Sequence, residues 1–249
     1  MNRRLQRDGP VSVVPYLMCG HPNASATVAT ARRLVRLGIA AIELGIPFSD
    51  PLADGPVIQR AGQVALAGGM SMRLALSTAA EIGGETPLVL MTYVNPILAY
   101  GPPRFAADAA SAGVAGVIVP DLPPEEAEGI VDALRSHDLW TVFLVAPTSS
   151  DSRIQRITEA STGFVYCVTV TGITGERAEL PPGLAELLAR VRAATALPVA
   201  AGFGISRPEH IAALRGVADL AVVGSAIVRE MEAGRDPIPL VESLVSACR

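Results

Sequence analysis

The 249-residue sequence predicts a single (β/α)₈ barrel spanning residues 1–249, with a short amino-terminal extension. Three observations lead there. Short β-branched apolar runs alternate with helical patterns along the whole chain, and such alternation implies a parallel sheet. Eight of these units fit into about 250 residues, the usual size of a closed barrel. No G-x-G-x-x-G follows the first strand, which weakens the alternative of an open doubly wound sheet. No linker or low-complexity segment interrupts the pattern.

The elements follow in order. Residues 11–18 read as strand one, and Cys19-Gly20-His21-Pro22 as a turn with His21 on the surface. Asn23 or Ser25 caps a helix that Gly38 stops. Residues 39–44 form strand two. Helical patterns cover 57–66 and 72–81, broken at Gly68-Gly69. Residues 87–93 are strand three, followed by a loop at Asn95-Pro96 and a helix over 104–111. Residues 114–119 are strand four. Pro123-Pro124-Glu125-Glu126 opens the next helix, with proline in its first turn and acids at its positive end. Residues 139–145 are strand five, 151–160 a helix, and 164–167 strand six. A glycine- and threonine-rich loop covers 169–176, before a helix at 184–194. Residues 197–201 are strand seven, and Ser206 with Glu209 makes a capping-box pattern. Residues 217–223 are strand eight, and 237–248 a last helix.

Composition narrows the chemistry. The chain contains no lysine; all 20 basic residues are arginine. A lysine Schiff base, covalently held pyridoxal phosphate and a P-loop lysine are thereby excluded. The three histidines, His21, His137 and His210, form no pair at metal-ligand spacing, so no metal and no cofactor is expected. The formal charge of -4 argues against a nucleic-acid surface. No apolar run reaches membrane-spanning length, and no apolar stretch follows Arg3, Arg4 and Arg7 as a secretory signal requires. Cys19, Cys167 and Cys248 are too few and too scattered for a disulfide framework, which places the chain in a reducing cytoplasm.

Carboxylates, hydroxyls and backbone dipoles remain. Glu43 is the one charge in strand two, and a carboxylate in a buried strand is costly unless it is hydrogen-bonded or functional. Asp50 and Asp54 lie in the loop just beyond it, each also readable as an ordinary turn residue. The βα loops of a barrel meet at one face, so Glu43, Asp54, Tyr93, Asp121, Tyr166 and Thr174 would converge there. Tyr166 on its own reads as core, and Asp121 as a turn or cap residue. Gly204-Ile205-Ser206 follows strand seven and Gly224-Ser225-Ala226 follows strand eight. These two loops bind phosphate through backbone amides in many barrels, and Gly175 could add another amide.

The stretch ELGIPFSDPLADGPVIQ (residues 43–59) resembles the signature of the tryptophan synthase alpha chain family. The likeness continues through MTYVNPIL (91–98), VPDLPPEE (119–126), FLVAPTSSDSRI (143–154), VTGITGER (170–177), GFGIS (202–206) and GSAIV (224–228). It implies retro-aldol cleavage of indole-3-glycerol phosphate to indole and glyceraldehyde 3-phosphate. It implies Glu43 and Asp54 as the catalytic carboxylates, and Tyr93, Tyr166, Thr174, Gly175, Phe203, Gly204, Gly224 and Ser225 around the substrate. The family also implies a pyridoxal-phosphate beta chain as partner in an alpha2-beta2 complex, docked where Pro51-Leu52 and Asn95-Pro96-Ile97 expose apolar groups. Two departures stand out: a short segment before strand one, and His21 where many members have an acid or an aromatic residue. A stand-alone lyase releasing free indole, and a non-catalytic barrel regulating a partner, are the alternatives.

Overall fold

A computed structural model describes residues 5–84, 86–168, 182–202 and 204–248. Thr174, Gly175 and Phe203, with most of the loop after strand six, lie outside the described residues. Nine parallel strands form one sheet, and their order explains how it closes. They are β1 (Ser12–Met18), β2 (Ile42–Gly45), β3 (Leu88–Met91), β4 (Gly116–Ile118), β5 (Trp140–Val142), β6 (Leu144–Val145), β7 (Val165–Val168), β8 (Val199–Gly202) and β9 (Leu220–Val223). β5 and β6 are two halves of one strand interrupted at Phe143. The first half pairs with β4 and the second with β7, so this one segment joins both ends of the sheet. The open-sheet alternative is thereby ruled out, and the predicted strand five is the closing strand.

The strands are short and buried on both faces because helices cover the outside and side chains fill the inside. The first crossover helices carry their own start signals. Asn23 accepts a bond from the Ala26 amide at 2.8 Å and opens α1 (Ala24–Val35). Pro56 sits in the first turn of α2 (Pro56–Ala67), and Ser71 caps α3 (Met72–Ile82).

Asn95-Pro96 departs from expectation: it is not a loop but the first turn of α4 (Val94–Tyr100). Proline is tolerated there because first-turn amides have no partner within the helix. The Val94 amide instead donates to Asp121 at 2.9 Å, which makes Asp121 a capping residue supplied by the next loop. α5 (Pro102–Ser111) follows. The Pro124–Glu126 segment is a 3₁₀ turn ahead of α6 (Glu128–Arg135), and α7 (Asp151–Ala160) and α8 (Leu184–Ala194) lie where the sequence places them.

The Ser206 capping box does not form. α9 (Pro208–Leu214) starts later, behind Arg207, because the Ser206 amide already donates to His210 Nδ1 at 3.2 Å. α10 (Ser225–Glu232) and α11 (Ile238–Ser246) complete the chain. His21 is not a surface residue either: it is 4% exposed. Its turn is drawn in by the His21 amide on the Met18 carbonyl and by the Gly20 amide, which donates to Thr27 Oγ1 at 3.1 Å.

The short segment before β1 is fastened at the amino ends of the strands. Arg7 donates to the carbonyls of Arg192, Thr195 and Leu197, and the Asp8 amide donates to Asp219 at 3.0 Å. Asp219 is buried, pairs with Arg192 at 2.7 Å and accepts from the Val199 amide at 2.8 Å. This closes the bottom of the barrel and leaves the carboxyl ends of the strands for chemistry.

Candidate active site

A cleft of about 630 Å³, counting its open mouth, lies at the carboxyl ends of the strands. Its walls are Tyr16 from β1, Glu43 from β2, Met91 from β3, Tyr166 from β7 and Val222 from β9, with Asp54 from the β2–α2 loop and Ile58 from the first turn of α2. Gly204, Ile205, Ser206, Gly224, Ser225, Ala226 and Arg229 form the remaining side. The cleft therefore brings together Glu43, Asp54, Tyr166, Gly204, Gly224 and Ser225, which the sequence places far apart. Tyr93 is not among its walls.

Glu43 reaches the cleft because β2 pairs in parallel register with β1 and β3, setting Tyr16 on one side of it and Val89 on the other. Partners in register point to the same face of a sheet. Glu43 is 2% exposed, and its Oε2 has no hydrogen-bond partner among the described residues. A buried polar atom left unsatisfied in a native structure needs an explanation, and an incoming ligand is one. Burial, and then the charge of Asp54, push the Glu43 carboxyl up to about 8. It is thus a protonated acid at neutral pH.

Asp54 is held by its loop. The Ala53 amide donates to Tyr93 Oη at 3.0 Å, Gln59 donates to the Asp54 carbonyl at 2.9 Å, and the Phe48 and Tyr93 rings pack with centroids 5.4 Å apart. Burial raises the Asp54 carboxyl to about 6, against the opposing pull of a hydrogen bond from Tyr93. Tyr93 therefore acts behind the cleft, holding Asp54. Asp50 is tied to Ser49 in the exposed part of the loop.

Two tyrosines lean across glycines. A methyl group on Gly45 would lie 2.0 Å from Tyr16 Oη, and one on Gly202 would lie 2.2 Å from Tyr166 Oη. Glycine at these two points lets each ring lie flat over the neighbouring strand. Burial first, and then the nearby carboxylates, hold both phenols well above their ordinary pKa. They stay neutral and can donate hydrogen bonds.

On the β8–β9 side, α10 begins at Ser225 behind Gly224 and has no side-chain cap on its first turn. Its first amides are suited to an anion. Ser206 Oγ is buried there without a hydrogen-bond partner among the described residues. Among the described residues no three His, Cys, Asp or Glu side chains are grouped to hold a metal ion. Sequence reasoning missed Tyr16, Ile58, Met91, Val222 and Arg229 as wall residues. Arg229 alone carried a signal, four residues beyond Ser225 and so on the same helix face.

A closed parallel barrel with two raised carboxyls in a cleft at the carboxyl ends of its strands defines a (β/α)₈-barrel enzyme. Residues 3–248 match the family model described as "Tryptophan synthase alpha chain". The chain belongs to that family. A tryptophan synthase alpha chain from Solibacter usitatus is 48% identical over 247 residues, covering 98% of this chain and 92% of the relative. One from Roseiflexus castenholzii is 47% identical over 232 residues, covering 92% and 89%. Among solved structures, Mycobacterium tuberculosis tryptophan synthase superposes with a TM-score of 0.90 at 39% identity, covering 96% of this chain and 93% of that one. A chain of the tryptophan synthase a2b2 complex from Pyrococcus furiosus superposes with a TM-score of 0.88 at 40% identity, covering 96% and 98%.

Proposed function

We propose that this chain cleaves indole-3-glycerol phosphate into indole and glyceraldehyde 3-phosphate, with Glu43 as the acid–base group. The observation that carries the assignment is the Glu43 carboxyl: buried, one oxygen unpartnered among the described residues, raised to about 8, and facing the cleft beside Asp54. The reaction needs a proton on indole C3 and a base for the glycerol hydroxyl next to the breaking bond. Protonated Glu43 delivers its proton to C3, and the ring becomes an electron sink. The resulting carboxylate then takes the hydroxyl proton as the carbon–carbon bond breaks, its electrons returning to the ring and the hydroxyl carbon becoming an aldehyde. Glu43 finishes protonated, as it began.

Asp54, ionised above about pH 6, accepts a hydrogen bond from the indole N–H and stabilises the positive charge that grows on the ring. Ile58, Met91, Val222 and the faces of Tyr16 and Tyr166 hold the ring. The first turn of α10 with Ser225, and the loop around Gly204, receive the phosphate.

The partner in this reading is a pyridoxal-phosphate beta chain that accepts indole, in an alpha2-beta2 complex. Leu52, 89% exposed in the β2–α2 loop, and Leu98, 55% exposed on α4, support this reading as apolar groups near the mouth. Ile97, which the sequence placed in that patch, is fully buried, whereas the next residue, Leu98, is exposed. A reducing cytoplasm fits the three free cysteines. One barrel domain over residues 1–249 fits the continuous sheet.

The test is indole release from indole-3-glycerol phosphate by the isolated chain, with and without a beta chain from the same source. Release by the chain alone that rises on association supports the whole reading. High activity with no association at micromolar concentration would favour a stand-alone lyase, and no release in either case would refute the function.

A further inference from the structure

The cleft has a cation that the proposed mechanism does not yet use. Arg229 is the only basic side chain among the described residues that line it. It sits on α10 four residues after Ser225, so the two share a helix face. Helical side chains tilt toward the amino end of their helix, which carries an arginine at this position back toward the first turn. Arg229 and the uncapped start of α10 thus border the same part of the cleft, together with the buried hydroxyl of Ser206.

The surroundings are organised by charge. Glu232 is gripped by Arg60 at 2.9 and 3.1 Å, and Glu230 by Arg235 at 2.7 and 2.8 Å. The charge of Arg229 acts on both of these acids as well. The same cleft carries the two carboxyls, Glu43 and Asp54. A ligand spanning the cleft would place a group that tolerates acids at one end and an anion at the other.

We infer that Arg229 fixes the orientation of the substrate by ion-pairing with its phosphate dianion, supplementing the neutral amides of the α10 start. In a chain without lysine, arginine is the residue left to supply a permanent positive charge here. The inference rests on the proposed phosphate-bearing substrate and adds a specificity residue to it: phosphate-bearing ligands gain from Arg229, whereas free indole does not.

The experiment compares wild type, Arg229→Gln and Arg229→Lys by calorimetric titration with glycerol 3-phosphate and, separately, with indole, at low and high ionic strength. A charge-assisted hydrogen bond contributes about 1.5–3 kcal/mol, so Arg229→Gln should weaken glycerol 3-phosphate binding roughly ten- to a hundredfold. Indole affinity should be unchanged, Arg229→Lys should recover much of the loss, and the glutamine variant should lose part of the salt dependence of wild type. Glycerol 3-phosphate binding within about twofold of wild type in Arg229→Gln would overturn the inference while leaving the proposed reaction standing. Parallel loss of indole and glycerol 3-phosphate would also overturn it, since that marks a structural role. Failure of wild type itself to bind glycerol 3-phosphate or to cleave indole-3-glycerol phosphate would instead strike the proposed function.

Discussion

Asp54 stands close enough to Glu43 for its charge to add to burial in holding the Glu43 proton up to about pH 8. The two carboxyls share one cleft wall but titrate apart, Asp54 at about 6 and Glu43 at about 8. Such a separation assigns roles: the lower group is the anion and the higher one the acid. The active form of the pair therefore predominates between the two values. The dependence of kcat/KM on pH should be bell-shaped, rising through about 6 as Asp54 ionises and falling through about 8 as Glu43 loses its proton. A flat profile from pH 5 to 9 in a buffer of constant ionic strength would contradict this assignment.

Stability carries the opposite signature. Glu43 is raised from the ordinary 4.5, so over that window the folded chain binds more protons than the unfolded one. Stability contributed by this group is then fully present below about 4.5 and is lost as pH rises through about 8. Glu43→Gln removes that loss. Thermal melts should show the variant more stable than wild type at pH 9, by an amount on the order of a few kcal/mol, and little different at pH 4. Equal melting temperatures at both pH values would mean that the Glu43 site is wetter than its burial implies.

Asp54→Asn keeps the shape of the side chain and removes the charge that faces the ring. It should lower kcat far more than it weakens binding of glycerol 3-phosphate, because the charge matters where positive charge develops. Comparing kcat with the titrated affinity separates these effects. An equal fall in both would place Asp54 at the phosphate.

Much of this was legible in the sequence, for identifiable reasons. The eight strands follow from alternating apolar runs, and Glu43 stands out because a lone charge in such a run is costly. Tyr16 did not stand out, because its value depends on cross-strand register with Glu43, which a linear sequence does not display. Ser206 was misread as a helix cap because its amide finds His210, a bond that competes with the local capping pattern. His21 looked like a turn residue because burial of a turn is decided by what packs on it. The interruption at Phe143, which lets one strand serve both sides of the closure, likewise has no local signal.

Gly202 tests how tightly the cleft is built. Its added methyl would sit 2.2 Å from Tyr166 Oη, so Gly202→Ala must displace that ring. Overpacking of this kind costs about 1–3 kcal/mol. A chemical denaturation curve should show that loss, with weaker indole binding as Tyr166 moves. Gly129→Ala, where a methyl meets nothing within 4 Å, is the control and should be neutral or slightly stabilising. Wild-type stability in Gly202→Ala would mean that Tyr166 moves freely.

The most direct test of the account is the turnover of Glu43→Gln. Glutamine preserves the volume and polarity of the buried side chain but can neither give nor take the proton at indole C3 and the glycerol hydroxyl. General acid–base catalysis contributes about 10²–10⁴-fold, so indole release from indole-3-glycerol phosphate should fall by at least ~100-fold while substrate affinity is retained. Release within about tenfold of wild type, at unchanged affinity, would show that another group carries the proton and would contradict the role given to Glu43.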